Sequence, residues 1–188
     1  MVRWESDSQG RLARAAMALY SERGFEQTTV AEIARRAGLT ERTFFRHYAD
    51  KREVLFWGSN RLQEIFVGAV ASAPADATPF AAMAAALDAV ATFLEEGRPH
   101  SRQRQAIIDA NAALQEREAI KLASLSTVLA GALRERGVGE PAASLAAEAA
   151  IAVFKVGFER WVAPDTEHTL QRCIHEALAE LRGVLAAS

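Results

Sequence analysis

Six basic residues, Arg35, Arg36, Arg42, Arg46, Lys51 and Arg52, share one stretch with only two acids, Glu41 and Asp50. Six against two leaves that stretch at +4, in a chain whose formal net charge is -2. A basic island on an acidic chain is a place where a polyanion docks. Arg42 and Thr43 stand side by side within it. An arginine can bond guanine O6 and N7 in bidentate fashion, and a threonine can offer its hydroxyl or pack on a thymine methyl. Arg46 and His47 follow one turn later and suit the phosphate backbone, although His47 reads equally as a neutral surface histidine. Lys51, Thr29 and Thr40 each stand where a helix is expected to begin, and backbone N–H groups there favour phosphate. Phosphate contacts set affinity and register, so sequence choice should rest on Arg42, Thr43 and their neighbours.

The elements that hold these residues follow from local signals. Thr29-Val30-Ala31-Glu32 fits a capping box, with Thr at N-cap and Glu at N3, so a helix is expected to start at Thr29. Ile33, Ala34 and Ala37 continue its apolar face. Gly38 stops it, because glycine takes the left-handed C′ conformation without a Cβ penalty. Thr40 can cap a second short helix from Glu41 to about Tyr48, with Phe44 and Tyr48 turned inward. Asp50-Lys51-Arg52-Glu53 repeats the capping-box pattern and predicts a helix running from Lys51 through Val54, Leu55, Trp57, Leu62, Ile65 and Phe66. Before the island, Leu12, Ala15, Ala16, Leu19 and Tyr20 form the stripe of a core-facing helix. That helix is capped at Asp7 or Ser8 and ends at Gly24, after a frayed polar start over residues 1–7. Helix, Gly-containing turn and helix make a helix-turn-helix, whose second helix lies in the DNA major groove.

With a helix ending at Gly24-Phe25 followed without a gap by TTVAEIARRAGLTERTFFRHYADKREVL, the first 60 residues resemble the DNA-binding domain of TetR-family transcriptional repressors. The resemblance implies base contacts at Arg42 and Thr43. It also aligns Phe45 with a family position that is usually Tyr, whose hydroxyl meets a phosphate. Phe45 lacks that hydroxyl and can offer only apolar contact to a sugar or a thymine methyl. Further on, RQRQAIIDANAALQEREAIKL, then AAEAAIAVFKVGFERWV, is similar to the C-terminal domain of the mycofactocin-associated actinobacterial subgroup. That likeness implies long acyl-coenzyme A ligands.

The rest of the chain reads as helical. Hydrophobic residues make up 50% and aromatics 7%, and the pI is near 6.1. Abundant alanine favours helix. The predicted class is all-α: an N-terminal three-helix helix-turn-helix domain over 1–54 and a helical effector-binding and dimerisation domain over 55–188, about nine helices in all. A loop is expected over Ser72–Pro79, and helices over Phe80–Glu96, Arg102–Gln115, Glu116–Arg136, Ala142–Val162 and Thr166–Leu185, with breaks at Gly97-Arg98-Pro99 and at Gly137 to Pro141. Met1 to Glu5 lacks an apolar signal region, and no apolar run is long enough to span a bilayer. Cys173 is the lone cysteine, which suits a reducing compartment. The expectation is a cytoplasmic protein that needs no membrane.

Met83, Leu87, Phe93, Ile107, Ile108, Leu125 and Leu129 are candidate lining for a ligand pocket, although each reads first as plain core. An apolar pocket suits an apolar or amphipathic ligand; Arg102, Arg104 and Lys121 can meet an acidic head group or stand solvated. The last two helices either complete one monomeric core or pair with a second subunit in a four-helix bundle. The family resemblance favours the homodimer, with Leu145, Ala149, Val153, Phe154, Trp161, Leu170, Ile174, Leu178 and Leu181 at its interface. A dimer suits two adjacent major grooves and a palindromic site. Cys173 and His175 have no further His or Cys at ligand spacing, so no metal is expected, and no cofactor. No G-x-S-x-G, Walker loop or H-E-x-x-H occurs, and His100 and His168 lack a nucleophile at telling spacing, so the chain does not read as an enzyme. The family resemblance implies a ligand-released repressor on double-stranded DNA, in which the ligand shifts the fourth helix and the spacing of two reading heads. A helical adaptor that merely keeps the fold is the alternative.

Overall fold

The computed structural model describes residues 3–186, with side chains from Ser8 onward. The described residues form nine α-helices and one short 3-10 turn. In chain order these are α1 (Arg3–Arg23), α2 (Val30–Arg36), α3 (Glu41–His47), the 3-10 turn (Glu53–Phe56), α4 (Ser59–Ser72), α5 (Pro79–Glu95), α6 (Arg98–Asp109), α7 (Ala112–Glu135), α8 (Ala142–Val162) and α9 (Leu170–Ala186). The all-α class is as the sequence reads. The chain divides into two compact units: one comprises the chain up to Gly58 together with Arg102–Glu118, the other Ser59–Ser101 and Ala119 onward.

The core of the first unit gathers Leu12, Ala16, Leu19 and Tyr20 of α1, Ile33 of α2 and Phe44 of α3 around Val54, Leu55 and Phe56. Ile107 and Ile108 of α6 and Leu114 of α7 close it. The boundary expected at residue 54 leaves that second segment outside the N-terminal domain. Its apolar residues look like ordinary amphipathic-helix spacing, and nothing local marks them as packing against residues far earlier in the chain.

Five helix boundaries differ from expectation. First, α1 starts at Arg3, so Asp7 and Ser8 lie inside it rather than at its cap. Second, the capping interaction at Asp50 forms, with its carboxylate accepting from the N–H of Arg52 at 2.7 Å and of Glu53 at 3.2 Å. It opens only a 3-10 turn, and α4 begins anew at Ser59. The helix does not continue through Trp57 and Gly58, and the Leu55 carbonyl accepts from Arg104 Nε at 2.7 Å. Third, the helix expected over 102–115 is divided at Asn111. Its side-chain oxygen accepts from Ala113 N at 3.1 Å and Leu114 N at 3.3 Å, capping α7, while Gln115 Nε2 donates to the Asp109 carbonyl at 2.7 Å and closes α6. In addition, Arg98 and Pro99 begin α6 rather than break the chain, and α9 starts at Leu170, later than Thr166.

The second unit packs α8 against α5 and α9, and α4 against α5. Its core includes Phe66, Val70, Met83, Leu87, Val90, Leu129, Leu133 and the wholly buried Trp161. Thr78 caps α5 and Pro79 sits in its first turn, where a missing N–H costs nothing. Glu95 ties the connection from α8 to α9, accepting from Leu170 N at 2.7 Å and Trp161 Nε1 at 3.4 Å. Arg98 donates to the carbonyls of Trp161 and Thr166 in the same connection. Among the described residues, no helix is long and apolar enough to cross a membrane.

Candidate nucleic-acid interface

The reading helix is anchored by one ring. Phe44 is 0% exposed, and burying a phenylalanine contributes about 1.5–3 kcal/mol. That burial, with Tyr48 behind it, turns Glu41, Arg42, Phe45 and Arg46 outward. Phe45 is 55% exposed and meets Phe44 edge-to-face, with centroids 5.5 Å apart and planes at 82°.

The N-terminal ends of α2 and α3 are both capped by threonine. Thr29 accepts from Glu32 N at 3.3 Å and donates its hydroxyl to the Glu32 carboxylate at 3.0 Å. That carboxylate also accepts from Thr29 N at 3.0 Å and from Arg23 at 2.8 Å. Hydrogen bonds from the Thr29 backbone and then its hydroxyl hold the Glu32 carboxyl below its usual range. The Thr29 hydroxyl is thus committed within the fold, beside a negative charge, and is poorly placed to take a phosphate. Thr40 accepts from Thr43 N at 3.2 Å, and the two hydroxyls lie 3.0 Å apart. One of the pair must donate to the other, which leaves one O–H donor for an outside group. Thr43 is half-buried, so the fully exposed face of α3 runs through Arg42, Phe45 and Arg46 instead. Arg46 Nη2 lies 3.4 Å from Nε2 of the half-buried His47.

Lys51 has a different place from the one its charge suggests. Its ammonium donates to the carbonyls of Phe25 at 2.9 Å, Thr28 at 3.0 Å and Glu26 at 3.3 Å. An ammonium has three N–H donors. It also stands 4.3 Å from the centroid of the Phe25 ring, while the Lys51 carbonyl accepts from Tyr20 Oη at 2.6 Å. Burial pushes the Tyr20 phenol well above its ordinary value, so it stays a donor. Lys51 therefore fastens the loop that leads into the Thr29 cap.

The basic island is thinner than its composition implies. Arg36 pairs with Glu22 at 2.6 Å and Arg52 with Asp50 at 2.7 Å, while Arg35, Arg42 and Arg46 stand exposed. Two further arginines, Arg11 and Arg14, enter from α1 and line a shallow depression of about 390 Å³ with Arg36. Arg11 donates to the Ala37 carbonyl, and a Cβ on Gly38 would come within 2.8 Å of its guanidinium. Gly38, at φ +66°, therefore needs its conformational freedom, and a side chain there would also push the Arg11 guanidinium aside. The sequence reading omitted Glu41, Arg11 and Arg14. The outward position of Glu41 beside Arg42 is visible in helical spacing, and a carboxylate can accept from cytosine N4.

The candidate pocket residues divide between the two units. Met83, Leu87, Leu125 and Leu129 are core of the second unit, Ile107 and Ile108 are core of the first, and Phe93 is 46% exposed. Of the expected dimer-interface residues, Val153, Phe154, Trp161, Leu170, Ile174 and Leu178 are buried within the single chain. Helices α8 and α9 approach closely there: a Cβ on Gly157 would lie 2.8 Å from Ile174 Cγ1, while Phe154 meets Phe66 of α4 edge-to-face. Leu145 at 66% exposure, with Ala149 and Leu181 half-buried, remains outside. Ala152 and Val156 extend the Leu145 stripe at helical spacing. Among the described residues, no cluster of His, Cys, Asp and Glu could hold a metal ion.

Comparison with known proteins agrees with this architecture. Residues 12–56 match the description "Bacterial regulatory proteins, tetR family", and residues 77–186 match "MftR C-terminal domain". The chain is 37% identical over 90 residues to the HTH-type transcriptional regulator TcmR of Streptomyces glaucescens, a match covering 48% of this chain and 40% of that protein. It therefore spans less than half the length of that relative. A TetR-family regulator from Syntrophomonas wolfei shares the fold at a TM-score of 0.68 and 14% identity, over 97% of this chain and 96% of that one. So does FadR from Bacillus subtilis, solved in complex with stearoyl-CoA, at a TM-score of 0.62 and 19% identity over 91% and 96%. By a helix-turn-helix whose exposed arginines flank an anchored ring, and by family matches that together span most of its length, the chain belongs to the TetR family of bacterial regulatory proteins, with a C-terminal domain of the MftR type.

Proposed function

We propose that this chain is a cytoplasmic transcriptional repressor that binds a palindromic DNA operator as a homodimer and releases it on binding an apolar or amphipathic ligand. The observation that carries the reading is the outward face of α3, where Arg42, Phe45 and Arg46 stand exposed over the buried Phe44. In a helix-turn-helix this face enters the major groove, and two-fold symmetry sets half-sites about 34–36 Å apart. The stripe Leu145, Ala149, Ala152 and Val156 on α8, with Leu181 and Leu185 on α9, is the apolar surface that a second subunit would cover. The first unit reads DNA; the second binds the effector and the partner.

The MftR-type match over residues 77–186 and the likeness to FadR, whose structure holds stearoyl-CoA, support an acyl-coenzyme A as the effector class. Such a ligand acts only if it binds the DNA-free state more tightly than the bound one. Helices α6 and α7 contribute residues to both units, so a ligand that moves either helix reaches the 3-10 turn before α4 through Arg104 and Arg117.

Selection of operators from a random duplex library, followed by anisotropy titrations across a salt series, tests this reading. A palindromic consensus, steep loss of affinity with salt, and release by a long-chain acyl-coenzyme A are expected. Weak binding without a consensus, unaffected by Arg42→Ala, would instead favour a helical adaptor.

A further inference from the structure

We infer that Asn111 is a positioning residue for operator binding, whose side-chain amide locks the start of α7 to the loop that sets the α2 cap. The inference rests on the DNA-binding reading above and deepens it. The Asn111 side-chain oxygen accepts from Ala113 N at 3.1 Å and from Leu114 N at 3.3 Å, which caps α7. The nitrogen of the same amide donates to the Glu26 carboxylate at 3.0 Å. An amide is planar, so its two ends turn together. With the oxygen held by the cap, the nitrogen is aimed at Glu26, and a hydrogen bond to a charged acceptor is of the stronger kind. Glu26 is held from its backbone as well: its carbonyl accepts from Lys51 Nζ at 3.3 Å, the ammonium that also binds the carbonyls of Phe25 and Thr28.

The loop that Glu26 belongs to is closed on itself. Thr28, wholly buried, donates its hydroxyl to the Gly24 carbonyl at 2.9 Å. Thr29, next in sequence, is the N-cap of α2, and α2 packs on α3. A pull on Glu26 therefore reaches the α2 cap rather than being lost in slack chain. On the other side of the amide, Leu114 is wholly buried in the core of the first unit. Helix α7 then runs unbroken to Glu135, with Leu125 and Leu129 in the core of the second unit. A displacement of α7 thus moves the α2 cap through Asn111 and Glu26. This route does not pass through α4, the helix to which the family resemblance assigns the action of the ligand. Coupling of this kind is reciprocal, so an operator that fixes the loop also tightens the start of α7.

The test uses the full chain and its selected operator, with amide hydrogen exchange and anisotropy titration as readouts. Asn111→Asp separates the two ends of the amide. It keeps an oxygen that caps α7 as well as asparagine does, but it has no donor and sets a carboxylate against Glu26. Adding Glu26→Gln restores the hydrogen bond with donor and acceptor exchanged. In Asn111→Asp the amides of residues 25–32 are expected to exchange about 5-fold faster and operator affinity to fall about 5-fold, the equivalent of one hydrogen bond. Operator should slow exchange over residues 113–116 in wild type but not in Asn111→Asp. The double variant should restore all three properties, which loss of the α7 cap alone would not allow. Unchanged loop exchange or unchanged operator affinity in Asn111→Asp would overturn the inference, as would a double variant that behaves like Asn111→Asp. Each of these leaves operator binding by the wild type intact. Failure of the wild type to select any operator would remove the DNA-binding reading, and this inference with it.

Discussion

The guanidinium of Arg104 donates through Nε to the carbonyl of Leu55 at 2.7 Å, linking α6 to the 3-10 turn that follows the reading helix. The same group donates through Nη1 to Glu118 at 2.9 Å and lies 5.0 Å from the centroid of the Phe56 ring. Beside it, Arg117 pairs with Glu53 at 2.6 Å. Burial pushes the Arg104 guanidinium down and Glu118 works against that shift; arginine nonetheless remains charged. Arg104→Met keeps the apolar stem but removes the donors, leaving a carbonyl and a carboxylate short of partners. A loss of about 2–3 kcal/mol in urea unfolding is expected. Glu118→Gln, which can still accept a hydrogen bond, should lose about 1 kcal/mol. Equal stability of Arg104→Met and wild type would show that the clamp contributes nothing.

A second close relationship fixes the last two helices. A Cβ added at Gly157 would stand 2.8 Å from Ile174 Cγ1 and 3.0 Å from Ile174 Cα. The second distance is to backbone, which cannot rotate away. In an open helix Gly→Ala gains up to about 1 kcal/mol. Here overpacking dominates, and Gly157→Ala is expected to destabilise by about 1–3 kcal/mol. Thermal unfolding followed by circular dichroism reads the sign directly. Gly68, whose added Cβ would meet nothing within 4 Å, is the control, and Gly68→Ala should be neutral or stabilising.

These two contacts show where the sequence was legible and where it was not. The capping box at Thr29, the Gly38 turn and the buried Phe44 are decided within a few residues, and local spacing reveals them. The role of Arg104 depends on a carbonyl 49 residues away, so its sequence neighbourhood suggests only a charged helix face. The expected dimer residues turn on a related point. An apolar surface all round α8 says that the helix is covered on several sides, but not whether the cover is its own chain or a second one. Val153, Phe154 and Trp161 fit the partner reading by type, and each is buried within its own chain.

The N-terminal cap of α2 gives the first unit a dependence on acid. The Glu32 carboxyl is held below its ordinary value of 4.5 by hydrogen bonds from the backbone and hydroxyl of Thr29, with Arg23 adding to them. A group whose folded pKa is depressed contributes stability that is present above its unfolded pKa and is lost as pH falls through the folded one. Wild type should therefore be more stable than Glu32→Gln at neutral pH. The gap should narrow as pH falls from about 5 to about 3, through the ordinary carboxylate range. Melting temperatures of the two proteins across that range provide the measurement. A gap independent of pH would mean that the carboxylate charge is not what the cap uses.

Lys51 offers the sharpest separation of a DNA contact from a residue that shapes one. Its three N–H donors are spent on the carbonyls of Phe25, Thr28 and Glu26, so its charge is turned into the fold. Lys51→Met should release the loop before Thr29 and destabilise the protein by about 1–3 kcal/mol. Operator affinity should fall as well, because the cap of α2 is no longer held. The salt dependence then distinguishes the two roles. Loss of a phosphate ligand lowers the slope of log affinity against log salt by about 1. Loss of an internal clamp leaves the slope as it was and shifts the whole line downward. Anisotropy titrations of Lys51→Met and Arg46→Ala on one operator give the comparison: the slope should drop for Arg46→Ala and stay for Lys51→Met. A drop for Lys51→Met would show that the lysine leaves its three carbonyls to meet the phosphate.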